Sequence, residues 1–92
     1  MVMKHVPGKD IGHVMLYALS TCVWCKKTKQ LLDELGVAYD YEYVDMLKGD
    51  EKDEVMNIVR RWNPECSFPT LVINEKCIVG FRENAIREAL RL

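Results

Sequence analysis

Two cysteines separated by two residues, in the run Cys22-Val23-Trp24-Cys25, are the groups in this chain whose type and spacing can do chemistry. Thiols at that spacing can close into a disulfide and open again, and a dithiol where a strand gives way to a helix reads as a redox site. The attacking species is a thiolate, and the first turn of a helix favours it with unpaired N–H groups and the positive end of the dipole. Lys26 and Lys27 add positive charge nearby. The expected reaction is thiol–disulfide exchange. Cys22 attacks a substrate disulfide, and Cys25, one turn further on, displaces the reduced product and leaves an internal disulfide.

The assignment of the two roles comes from the elements that must carry them. His13-Val14-Met15-Leu16-Tyr17-Ala18-Leu19 is a continuous apolar run and predicts a central strand. After it, Cys25, Thr28, Leu31, Leu32 and Leu35 fall on one helical face, and Lys26, Lys27, Lys29, Gln30, Asp33 and Glu34 on the other. Cys25 therefore belongs to the core stripe. Cys22 stands at or before the first turn and is the exposed candidate nucleophile.

Gly36 is placed to cap that helix, and Tyr39 to Val44 alternates as a half-buried strand does. Strand, helix and strand predict a parallel pair with a right-handed crossover. Asp50 is read as the cap of a second helix with Val55, Ile58, Val59 and Trp62 on its core stripe, stopped by Asn63-Pro64. A loop from Cys66 to Pro69 follows. Two strands, Thr70 to Ile73 and Cys77 to Val79, are joined through Asn74-Glu75-Lys76. Asn84 is expected to cap a last helix, with Ala85, Ile86, Ala89 and Leu90 on one side and Arg87 and Arg91 toward its negative end. Residues 1–12, with Pro7, Gly8 and Gly12, read as a leader, and 13–92 as one domain.

Composition narrows the classes of function. The 92 residues suffice for one core, and 49% hydrophobic content fits a folded globule. A formal charge of -1 with no basic run makes no case for nucleic acid or a membrane surface. Partners are expected among proteins and small thiols, with a monomer as the expected state. No apolar stretch has spanning length, the first residues lack a signal-peptide pattern, and a working dithiol suits a reducing compartment, so a cytoplasmic location is expected.

A metal module is the rival class, with Cys66 and Cys77 joining Cys22 and Cys25 around zinc or an iron–sulfur cluster. Cys66 and Cys77 stand eleven apart, without the tight second pair that such sites use, so no metal ligand is assigned. Cys77 is read as a buried strand residue and Cys66 as structural, although its nearness to Pro69 leaves an auxiliary thiol open. Trp24, Phe68 and Phe81 are expected to form an apolar rim for protein docking, the alternative being that Trp24 packs on Phe81 or on the leader. Trp62 and Tyr17 are read as packing residues.

The element order β-α-β-α-β-β-α, with Cys-x-x-Cys at the first strand-to-helix turn and Pro69 opening the third strand, resembles the thioredoxin fold and, at this size, its glutaredoxin branch. That resemblance implies an α/β fold with a four-stranded mixed sheet flanked by helices and a cis bond before Pro69. It also implies a thiol–disulfide oxidoreductase acting on protein disulfides or glutathione mixed disulfides. Ser67, Phe68 and Pro69 would then present the substrate backbone, Lys26 would support the Cys22 thiolate, and Gly80, Phe81 and Arg82 would shape the substrate or reductant groove. No bound cofactor is implied, with glutathione as a possible reductant. Ordinary glutaredoxins carry Pro-Tyr between the cysteines, a lysine at the place of Leu19, and Gly-Gly with acidic residues at the place of Gly80-Phe81-Arg82. Gly-Phe-Arg is similar to redoxins that serve ribonucleotide reductase and are reduced by a thioredoxin-reductase-type enzyme.

Overall fold

Secondary structure in the computed structural model, which describes residues 4–90, follows the apolar pattern closely from Val14 onward. The strands are β1 (Lys4–Val6), β2 (Val14–Ala18), β3 (Tyr39–Tyr43), β4 (Thr70–Ile73) and β5 (Lys76–Val79). The helices are α1 (Val23–Leu35), α2 (Gly49–Trp62) and α3 (Glu83–Leu90), and a short 3₁₀ turn, Val44–Met46, follows β3. One mixed sheet has the order β1-β3-β2-β4-β5. β2 and β3 run parallel, with Leu16 opposite Tyr41, whereas β1, β4 and β5 join their neighbours antiparallel.

Every residue of β2 is buried, as its apolar run predicts for a strand covered on both faces. Alternation sends Val14, Leu16 and Ala18 into the core shared with Leu31, Leu32, Ile86 and Leu90. Met15 and Tyr17 point the other way, onto Val55 and Val59 of α2. The α/β sandwich is thus the expected thioredoxin fold.

Five details correct the sequence reading. The sheet has five strands, not four, because Lys4–Val6, within the stretch read as a leader, pairs with β3 from Lys4 opposite Tyr41 to Val6 opposite Tyr39. Three residues with two charged or polar side chains carry no legible strand period. The segment that follows is also fixed, since Lys9 N–H donates to Gly36 C=O at 2.8 Å and Ala38 N–H to Lys9 C=O at 2.9 Å. Gly8 is required there, because a Cβ would lie 2.6 Å from the Val37 carbonyl carbon.

β3 is partly buried, as expected, but not in alternation: its two buried residues are Tyr39 and Glu42, three apart and so on opposite faces. Glu42 is 5% exposed and its Oε2 has no hydrogen-bond partner. Burial pushes its carboxyl up, Lys4 opposes that shift and Glu51 adds to it. α2 begins one residue before Asp50, after Lys48, and no side chain caps it; Asp50 and Glu51 instead sit in its first turn, where the dipole favours acids. Trp62 is 37% exposed at the end of α2 rather than packed. α3 begins at Glu83, so Asn84 lies inside it and caps nothing, while Arg91 lies outside the described residues. Gly36 does close α1, at φ 70 in the left-handed region, with its N–H on Asp33 C=O. No described helix is long and apolar enough to cross a membrane.

Candidate active site

Both cysteines lie where the C-terminal end of β2 feeds α1, and the helix treats them differently. Cys22 is the N-cap residue, in extended backbone at φ -88 and ψ 118, and its Sγ accepts the Cys25 N–H at 3.1 Å. A cap side chain normally satisfies one of the orphan N–H groups of the first turn, and here a sulfur does so. The Cys22 N–H donates to Leu19 C=O at 3.2 Å, which closes the turn leading into the site. Cys25, one helical turn on, is 2% exposed, whereas Cys22 is half-buried. Burial, and after it the hydrogen bond to the Cys22 sulfur, push the Cys25 thiol up to about 12, so it stays protonated at neutral pH.

Other predicted residues take distinct places. Lys26 enters through its backbone, donating N–H to Cys22 C=O at 3.1 Å, and among the described residues its ammonium makes no hydrogen bond to the sulfur. Trp24 is 57% exposed and stacks on Phe81, with ring centroids 6.1 Å apart and planes inclined by 19°. The Lys27 ammonium lies 5.5 Å from the Trp24 ring centre. Trp24 thus packs on Phe81, the alternative reading, and the stacked ring remains largely open. Phe68 is partly buried and reaches both core clusters, so it is less a part of that rim than expected. A groove of about 220 Å³ lined by Lys27, Gln30, Leu31, Glu34, Phe81 and Glu83 runs beside the stack.

The peptide bond between Phe68 and Pro69 is cis, as the family resemblance implies. Gly80, at φ 80, donates its N–H to Pro69 C=O at 2.9 Å, which ties the end of β5 to this loop. Arg82 is exposed just before α3 and its C=O accepts the Ile86 N–H. Ser67 serves the loop itself. Its carbonyl accepts from Asn63 Nδ2 at 3.0 Å and from Thr70 Oγ1 at 2.7 Å, and its hydroxyl accepts from Asn63 Nδ2 at 3.1 Å. Phe68 N–H and C=O have no intrachain partner among the described residues.

Two residues of the site escaped the sequence reading. Asn63, read there only as a helix stop, is 4% exposed and bonds Ser67 and Thr70 through Nδ2 while Oδ1 accepts the Glu65 N–H. A polar residue beside a proline at a helix end was its only signal. Asp45, in the 3₁₀ turn, accepts both the N–H and the hydroxyl of Ser20, two residues before Cys22. No local pattern marks that pair. Tyr17 packs against α2, where burial pushes its hydroxyl up. Cys66 adopts φ 52 and is half-buried, as is Cys77, which was expected to be buried and instead lines a groove of about 180 Å³ with Arg82 and Glu88. No three Cys, His, Asp or Glu side chains among the described residues converge on a possible metal position.

Residues 14–78 match the glutaredoxin family model, a span that includes both cysteines and the Phe68-Pro69 loop. The chain belongs to the glutaredoxin family. Relatives agree with that placement. A glutaredoxin-like 8.6 kDa protein of the Clostridium pasteurianum rubredoxin operon is 30% identical over 73 residues, covering 79% of this chain and 91% of that one. The crystal structure of a glutaredoxin from Methanosarcina mazei Go1 superposes with a TM-score of 0.91 at 58% identity, over 98% of this chain and 88% of that chain. Methanosarcina acetivorans methanoredoxin gives 0.89 at 53% identity, over 92% of this chain and 90% of that one. Within the glutaredoxin family, then, this chain places its Cys-x-x-Cys at the helix start and a cis proline in the β4 approach.

Proposed function

We propose that this protein is a thiol–disulfide oxidoreductase in which Cys22 attacks and Cys25 resolves. The observation that carries the reading is the asymmetry of the two sulfurs: Cys22 sits at the cap and accepts a helix N–H, while Cys25 is buried and protonated. The Cys22 thiolate attacks one sulfur of a substrate disulfide, forming a mixed disulfide and expelling the other sulfur as a thiolate that takes up a proton. Cys25 then loses its proton and attacks Cys22 Sγ, which closes the internal disulfide and releases the second substrate thiol. Two electrons and two protons pass to the substrate. A thiol or dithiol reductant returns them to Cys22 and Cys25.

Proteins with disulfides are the substrates this surface fits best. The free N–H and C=O of Phe68 can pair with an extended backbone in the manner of an added strand. Trp24 and Phe81 offer a stacked apolar face beside it, and Gly80 and Arg82 flank that face. The bulk of Phe81, where the resemblance leads one to expect glycine, favours reduction by a thioredoxin-reductase-type enzyme over reduction by glutathione, as in redoxins that supply ribonucleotide reductase. No bound cofactor takes part in this scheme, and a reducing cytoplasm is the compartment it suits.

The test is a redox titration in glutathione buffers, with mass spectrometry reading which sulfurs are paired. Cys22→Ser is expected to abolish disulfide reduction, and Cys25→Ser to trap a mixed disulfide on Cys22. Activity that survives Cys22→Ser sinks the mechanism. Ready reduction of the Cys22–Cys25 disulfide by glutathione would return the balance to glutathione as electron donor.

A further inference from the structure

The turn that carries Cys22 is fastened from outside its own segment. Ser20 N–H donates to Asp45 Oδ1 at 2.8 Å and Ser20 Oγ to Asp45 Oδ2 at 2.5 Å, so one carboxylate uses both oxygens on one residue. Those bonds hold the Asp45 carboxyl below the usual carboxylate range, and it is charged at neutral pH. Ser20 lies between Leu19, whose carbonyl takes the Cys22 N–H, and the dithiol itself. A fixed anion is thus attached to the loop whose function is to present a second, transient anion. Burial and the Cys22 sulfur are the main reasons that the Cys25 thiol is held up, and the Asp45 charge acts in the same direction.

Resting on the dithiol reading above, we propose that Asp45 is a positioning residue that fixes the Cys22 turn through Ser20 and keeps the Cys22–Cys25 couple reducing by placing a permanent negative charge beside it. Only the reduced form can present a thiolate for attack, and a neighbouring anion raises the free energy of that thiolate, whereas the disulfide has no charge to repel. A couple whose reduced form is less stabilised is the stronger reductant. The same carboxylate that steadies the loop therefore biases the direction in which electrons leave it.

The experiment equilibrates the full chain with dithiothreitol redox buffers, quenches by alkylation and reads the Cys22–Cys25 ratio by mass spectrometry at low and high salt. Asp45→Asn, nearly isosteric, is expected to shift the equilibrium about threefold toward the dithiol at low salt, about 14 mV for a two-electron couple. In about 1 M salt the shift is expected to collapse, since the charge is exposed and screened. Ser20→Ala keeps the charge and the backbone bond; it is expected to leave the equilibrium unchanged and to slow the attack by Cys22. An Asp45→Asn constant equal to that of the parent, a shift that persists in high salt, or an equal shift in Ser20→Ala overturns the assignment. A parent chain that forms no Cys22–Cys25 disulfide at any buffer ratio overturns the dithiol reading, and this inference with it.

Discussion

At the scale of single residues, the two cysteines have identical chemistry and opposite surroundings. Cys25 is packed with Leu31, Leu32 and Ile86, and its thiol titrates only near 12 instead of the ordinary value near 9. Between those values the folded protein holds a proton that the unfolded chain has released, so stability falls as pH rises from about 9 toward about 12 and is unaffected by this group below that window. Tyr17 and Tyr39, both also pushed up by burial, act in the same direction at higher pH. Denaturant unfolding at successive pH values is expected to show that decline, and Cys25→Ala is expected to make it shallower. Per-residue iodoacetamide labelling of reduced protein between pH 7 and 9, roughly the range where free thiols ionise, is expected to modify Cys22 and spare Cys25. Equal labelling of both would contradict the burial argument.

Among the elements, the loop between α2 and β4 depends most on one side chain. Asn63 caps α2, with its N–H on Val59 C=O at 2.7 Å, and its amide gathers Ser67 and Thr70, so the approach to Pro69 is held by bonds formed away from water. Removing one member leaves the others unsatisfied, which costs more than the bond itself. Asn63→Ala is expected to destabilise the fold by about 2–3 kcal/mol and to lower the rate of disulfide reduction, although Asn63 touches no substrate. Unfolding curves and steady-state rates check both parts; a destabilised variant with unchanged kcat/KM would confine Asn63 to a structural role. Legibility differed within this stretch. The run Asn63-Pro64 announces a helix end, but the choice of Thr70 and Ser67 as partners depends on how α2 lies against β4.

On the scale of the whole molecule, the sheet separates two ends. The cysteines, Pro69 and Asp45 gather beyond the C-terminal ends of β2 and β3. At the start of β2 a cavity of about 330 Å³ is lined by His5, Asp10, His13 and Asp40, with His5 Nδ1 2.7 Å from Asp40 Oδ1. The N-terminal segment closes that distal end and covers the open side of β3, an arrangement that protects a sheet edge. Gly8 makes the close approach possible, with Val37, Gly36 and Ala38 backbone atoms all within 2.8 Å of where a Cβ would stand. Backbone atoms cannot rotate away, so Gly8→Ala is expected to lift this segment and cost about 1–3 kcal/mol, while disulfide reduction at the far end stays within about twofold of the parent, since distant sites are usually independent. Unfolding and activity assays of that variant check the separation; a large loss of activity would show that the two ends are linked.

The sequence by itself determined the dithiol, its place at a helix start, the unequal burial of its two sulfurs, the central position of β2 and the end of α1 at Gly36. Each of these is a local matter of period, cap or special dihedral, and such signals survive without knowledge of neighbours. The position of Pro69 came from family resemblance, because no local signal distinguishes a cis bond. Only the tertiary structure decided the fifth strand, the burial of Glu42, the Trp24–Phe81 stack, the Asn63 network and the Asp45–Ser20 bonds. Asp45 and Ser20 lie 25 residues apart in the chain, and whether they meet depends on the parallel crossover that brings the ends of β2 and β3 together. Contacts between separate elements are properties of packing, which no single segment carries.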